Sequence, residues 1–269
     1  MSVERIGWRA QLEFNLPTRK NAKLQSVLRN VRANKRLETY WKCCNINVVD
    51  RLHMNDHGPV HIKIISNIGL KILRMLFEAG VTPAIVKDHK MDAKDAEVVV
   101  FLGCCLHDIG LIVSRKNHAD YSVPIALSLL PSLLGDVYGE EENAVVTAET
   151  LHAVRAHETD MTPLTVEAGV VRFADALDMV GGRARIPFQA GLITIHSVSA
   201  MAIDKVEIKK GKKDKPIVVE IGLANSAGIF QIDELLKNKL KGSTIEDYVH
   251  VVARIEAGPE KKIIEKFEM

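Results

Sequence analysis

The sequence predicts an α+β protein, an all-helical core followed by a small α+β domain. Two observations carry this. From about residue 18 to 180, apolar residues recur at three- and four-residue spacing, the period of helices with one buried face. After GGRARIPF (181–188) the pattern changes to alternating segments rich in β-branched residues. The expected domains are therefore 1–188 and 189–269. At 269 residues, 47% of them hydrophobic, the chain can bury a sizeable core, and with 5% aromatic residues its packing must be mostly aliphatic.

Each element has its own signals. VHIKIISNIGLKILRMLFEAG (60–80) is helical in period, with Pro59 suited to the first helical position and Gly80 to the end. DAKDAEVVVFLGCCLHDIG (92–110) begins with acids, turns apolar and stops at Gly110. Further helical runs are expected at roughly 118–134, 140–158 and 164–180, the last two announced by acids at 140–142 and by Thr162-Pro163. Beyond residue 190, LITIHSVSAMAIDKVEIKKG, PIVVEIGLANSAG, YVHVVARIEA and KKIIEKFE read as strands, and FQIDELLKNKL (230–240) as one helix on a sheet face. KKGKKDK reads as a solvated hairpin tip, with anion binding the alternative, and Asn225 or Ser226 as the cap of the following helix.

The net charge of +2 argues neither for nor against an acidic partner, and no clear nucleic-acid site is visible. No apolar stretch is long enough for a membrane span, and MSVERIGWRAQLEF lacks a signal core, so a cytoplasmic protein is expected. The cysteines form two adjacent pairs, Cys43-Cys44 and Cys104-Cys105, without zinc-ribbon spacing, and are expected to be packed thiols.

The ionisable residues in apolar helices do not fit a plain core. His61 lies among Val60, Ile62, Ile64 and Ile65; His107 and Asp108 end the run LGCCLHDIG; His118 opens the next run; His157 ends the one after; Asp175 lies in GVVRFADALDM. Singly, each reads as a satisfied buried polar group. Five consecutive helical segments doing this together demand partners, and one metal centre satisfies four imidazoles and two carboxylates at once.

The ordering H…HD…H…H…D, with VHIKIISN, LHDIG and RFADALD, resembles the HD superfamily of metal-dependent phosphohydrolases over roughly residues 45 to 185. The resemblance implies that His61, His107, Asp108 and Asp175 hold one ion. It also implies that His118 and His157 complete a second ion, with Asp108 bridging. HADYSVPIA and VRAHETD look like the two-metal enzymes that split dinucleoside polyphosphates. There is no GYP motif, Leu111 follows HDIG, and no acidic pair follows HD, which weighs against cyclic-di-GMP and guanosine tetraphosphate as substrates.

The implied activity is hydrolysis of a phosphate ester or anhydride in a nucleotide or similar small phosphorylated metabolite, by a metal-bridging hydroxide. The all N/O ligand set suits two divalent ions of Mn, Fe, Co or Zn. Arg183 and Arg185 are candidates for a phosphate clamp, Lys116 for a weaker contact, and His152 either lines the pocket or packs. His57 is expected to join Asp56 in a helix cap, a third-metal or proton-donor role being the alternative. The C-terminal domain is expected to serve oligomerisation or regulation. The competing functions are an HD-fold di-iron oxygenase and a nucleotide-binding sensor without turnover.

Overall fold

The computed structural model describes residues 15–18, 20–180, 199–255 and 266–268. Eight α-helices precede a mixed sheet among these residues: α1 (Ala22–Ala33), α2 (Lys35–Asn45), α3 (Pro59–Glu78), α4 (Ala84–His89), α5 (Ala93–Leu106), α6 (His118–Leu134), α7 (Glu140–Arg155) and α8 (Val166–Leu177). Asn21 and Asn34 cap α1 and α2 with their side chains, and Pro59 opens α3. Gly80 follows α3 at φ +88°, so the expected stop is real. The start of α8 lies further on than Thr162-Pro163 suggests, because the Thr165 hydroxyl accepts the Ala168 N–H.

The central element is α5. It starts with a reciprocal capping box between Asp92 and Asp95, and every residue from Asp95 to Leu106 is buried. A helix apolar on all sides must be surrounded, and α3, α7, α8 and α1 pack around it. Gly103 lets α8 approach, with the Val171 methyls against the space a Cβ would take. Trp41 Nε1 donates to the Cys105 carbonyl at 3.0 Å and ties α2 to the end of α5. Thus the last turn of α5 is fixed from several sides, and it delivers His107 and Asp108.

The sheet follows the order β1-β2-β3-β4: β1 (Ile203–Lys210), β2 (Ile217–Leu223), β3 (Val249–Ile255) and β4 (Lys266–Glu268). β1 and β2 form a hairpin whose tip is the expected lysine-rich turn. β2 and β3 are parallel, which requires a crossover rather than a hairpin. The crossover contains a 3₁₀ turn (Ser226–Gly228), a π-helical stretch (Gln231–Leu236) and α9 (Lys237–Leu240). Asn225 caps its start by accepting the Ala227 N–H. SAMA, read above as strand, is helical at Ser199–Met201. No described helix is long and apolar enough to cross a membrane.

Candidate metal centre

Two local features bring His107 and Asp108 to the centre. The first is the end of α5. The second is the turn after it, where Gly110 lies against the first turn of α6: a Cβ there would collide with the His118 carbonyl oxygen. Gly110 N–H donates to Ser122 Oγ at 2.8 Å, and Ser122 Oγ donates to the His107 carbonyl at 2.6 Å. This stitching places Asp108 against His118.

Asp108 then divides the imidazoles into two groups. Its Oδ2 lies 3.1 Å from His107 Nε2 and 3.8 Å from His61 Nε2. Its Oδ1 lies 2.9 Å from His118 Nε2 and 3.5 Å from His157 Nε2. Asp175 Oδ1 joins the first group, 3.3 Å from His61 Nε2 and 3.6 Å from His107 Nε2. The structure therefore brings together all six residues expected as ligands.

The ring protons decide what this arrangement can hold. His107 Nδ1 donates to the Cys104 carbonyl at 3.0 Å, His157 Nδ1 to the Val154 carbonyl at 2.6 Å, and His61 Nδ1 to the Asp178 carboxylate at 2.7 Å. His118 Nδ1 lies 3.1 Å from the Arg115 carbonyl and 3.0 Å from Arg115 Nη1. We assign its proton to the carbonyl, which the helix start fixes, over a guanidinium that is 43% exposed. In their neutral forms the imidazoles would then present Nε2 lone pairs inward. His61 and His107 Nε2 are 3.3 Å apart, and His118 and His157 Nε2 are 3.1 Å apart. Lone pairs at that distance repel unless a cation lies between them. The donor set is nitrogen and oxygen throughout, with outer partners fixing the tautomers, and so fits divalent first-row ions.

Electrostatics agree. Burial alone would raise the carboxyl of Asp108, but His107 and His57 hold it well below the usual range. Burial would raise Asp175 likewise, but Lys239, His107 and His61 hold it well below that range. Burial disfavours a charged His107, yet Asp108 and Asp175 outweigh it and lift the imidazole to about 10. The point between these carboxylates favours positive charge, and an ion held there would displace the proton. Burial lowers His157, which suits a neutral ligand. Burial pushes the thiols of Cys44, Cys104 and Cys105 up, so they are packed thiols rather than thiolate ligands.

Several residues belong here that sequence reasoning did not place. Glu158 Oε1 lies 3.4 Å from His118 Nε2 and forms a ligand-sized group with His118 and His157. Its signal was adjacency to His157 in VRAHETD. His57 does not join the cap: Asp56 alone accepts the N–H groups of Gly58 and His61, while His57 Nδ1 meets Asp108 Oδ2 at 2.6 Å. Asp178 supports His61. Lys239, from α9, pairs with Asp175 Oδ2 at 2.5 Å. Burial opposes its ammonium, but Asp175, Glu158 and Asp108 more than offset this and raise its pKa.

The expected substrate contacts fare differently. Arg183 and Arg185 lie outside the described residues. Lys116 is exposed and does not line the adjoining cavity, whereas its neighbour Arg115 does. His152 is not brought to the centre: its Nε2 accepts the Leu164 N–H at 2.9 Å and staples the segment before α8. Two larger grooves, of about 580 and 790 Å³, include none of the clustered histidines.

Comparison with known proteins supports the same reading. The HD domain family matches residues 69–180. A protein of Methanocaldococcus jannaschii, "Uncharacterized protein MJ1020", is 45% identical over 233 residues, covering 87% of this chain and 89% of that one. Ribonuclease Y of Acidothermus cellulolyticus is 35% identical over 81 residues, 30% of this chain and 14% of that protein. No solved structure matches the chain significantly.

Proposed function

The chain belongs to the HD domain family of metal-dependent phosphohydrolases, and from that premise we propose that it hydrolyses a phosphate ester or anhydride of a nucleotide or similar small phosphorylated metabolite. The observation that carries this reading is the pair of facing Nε2 groups on either side of Asp108. Two divalent ions held there would lower the pKa of water and neutralise phosphoryl oxygens. In this reading His61, His107, Asp108 and Asp175 would hold one ion, and His118, His157, Glu158 and Asp108 would hold the second. Asp178 and the carbonyls of Cys104, Arg115 and Val154 keep the four rings oriented. The half-buried His57 keeps a proton beside Asp108 at the edge of the centre.

The test is metal analysis of anaerobically purified protein, followed by a hydrolysis panel on the same sample, read by separation of the products. The panel covers nucleoside mono-, di- and polyphosphates, cyclic nucleotides and dinucleoside polyphosphates. The local similarity to ribonuclease Y adds an RNA phosphodiester to it. About two ions per chain and metal-dependent hydrolysis are expected, with His118→Ala lowering both. Oxygen-dependent turnover without hydrolysis of any phosphate ester or anhydride would defeat the reading in favour of an oxygenase.

A further inference from the structure

Among the described residues, the C-terminal region reaches the centre through Lys239. Lys239 enters from α9, and its backbone neighbour is locked: Arg172 Nη2 donates to the Asn238 carbonyl at 3.1 Å, while Arg172 Nη1 donates to the Met161 carbonyl at 3.0 Å. Arg172 is 3% exposed and stands one turn before Asp175 on α8. The same buried side chain thus fixes α9 beside the helix that carries a proposed ligand. Thr244 Oγ1 donates to the Thr165 carbonyl at 2.7 Å and pins the other end of this contact.

Between the two regions lies a cavity of about 340 Å³ that opens on Asp175 and Glu158. That volume suits a small ligand. Its cations among the described residues are Lys239 and Arg115. Asn55 also lines it, and its Oδ1 is buried without a hydrogen-bond partner among the described residues. An ammonium has three donors, and Lys239 gives one to Asp175. Of the other carboxylates that line the cavity, Asp178 is engaged by His61 Nδ1 and Glu234 lies on the crossover, so once Asp175 and Glu158 serve ions, the remaining donors of Lys239 and Arg115 are left for a ligand.

We propose that Lys239 and Arg115 form a phosphoryl-contacting pair in this cavity, so that the C-terminal region supplies a substrate-binding residue. This rests on the phosphohydrolase reading. The test uses full-length, metal-loaded protein, with inorganic phosphate as probe in calorimetry and metal content measured on the same samples. Lys239→Met and Arg115→Met should each weaken phosphate binding about 10-fold, with metal content unchanged and Lys239→Arg recovering part of the loss. Lys237→Met, on a lysine paired with Asp233 on the exposed face, should bind like wild type.

Phosphate affinity within twofold of wild type in both test variants overturns the proposal. Metal loss in Lys239→Met that accounts for its weaker binding also overturns it, and makes Lys239 a positioning residue for Asp175. If Lys239→Met does not fold, Arg115→Met and Lys239→Arg decide by the same criterion. Wild-type protein that binds ions and releases phosphate from esters, yet shows no phosphate-dependent difference among these variants, sinks this inference alone. Wild-type protein that binds no ions sinks the underlying function.

Discussion

The two ends of α5 both bury ionisable groups, and they treat them in opposite ways. At the N-terminal end, Asp95 accepts from Lys23 Nζ at 2.8 Å and from the Tyr138 hydroxyl at 2.9 Å. Glu97 accepts from Arg74 through two nitrogens, at 2.7 and 3.0 Å, and from Asn21. Every carboxylate there meets a protein donor. At the C-terminal end, His61 faces His107 and His118 faces His157, acceptor against acceptor around shared carboxylates. The first arrangement completes itself and stabilises the fold. The second is complete only with a cation from outside. The distinction between a structural cluster and a functional one lies in which partner the protein withholds.

The comparison breaks most sharply at Asp108. Asp108→Ala removes the carboxylate between both imidazole groups, so both ions should be lost. The fall in metal-dependent rate should exceed the roughly 100-fold that loss of an outer-shell partner costs. Elemental analysis and kinetics on one preparation measure this, and a variant that retains two ions would show that Asp108 is not shared.

Next in size is Gly110→Ala. The new methyl meets the His118 carbonyl, so overpacking of about 1–3 kcal/mol is expected, with His118 displaced from Asp108. Thermal denaturation should show the loss, and metal stoichiometry should fall with it. Normal stoichiometry would mean that the turn adjusts without moving His118.

Asp95→Ala tests the other end of the helix. It leaves Tyr138 and Lys23 without their acceptor and should cost about 1–3 kcal/mol. That loss should be equal with and without chelator, and metal content should be unchanged. By contrast, chelator treatment of the wild type should remove stabilisation of about 2.7 kcal/mol if the ion was present at 100 times its Kd. A chelator-dependent effect of Asp95→Ala would couple the two ends of α5.

The smallest effect is expected at His152. His152→Ala removes one backbone contact, to Leu164, and should cost about 1 kcal/mol of stability. Substrate KM should not move, and a raised KM would return His152 to the pocket.

Much of this was legible along the chain. Helical period set α3, α5, α6, α7 and α8, because each buries a continuous apolar face that the spacing records. The six clustered residues were legible for the opposite reason: each breaks that face, and a buried ionisable group is conspicuous in an apolar setting. The hairpin tip and the cap at Asn225 followed from turn and capping chemistry.

The tertiary structure decided what local pattern cannot encode. Lys239 lies in polar, helix-compatible sequence, and nothing local separates it from surface charges; Glu158 had only its adjacency to His157. Lys239 reaches the centre through the packing of α9 against α8, a contact between positions 64 residues apart at Asp175 and Lys239. His57 was readable as a cap residue, since DHGP offers two candidates, and only the fold of the loop gave the cap to Asp56 and His57 to Asp108. The parallel pairing of β2 with β3 was also beyond the pattern, because alternation fixes which face a residue takes and leaves open the direction of the neighbouring strand. Sequence determined which residues cannot rest alone in a core; the fold determined which of them meet.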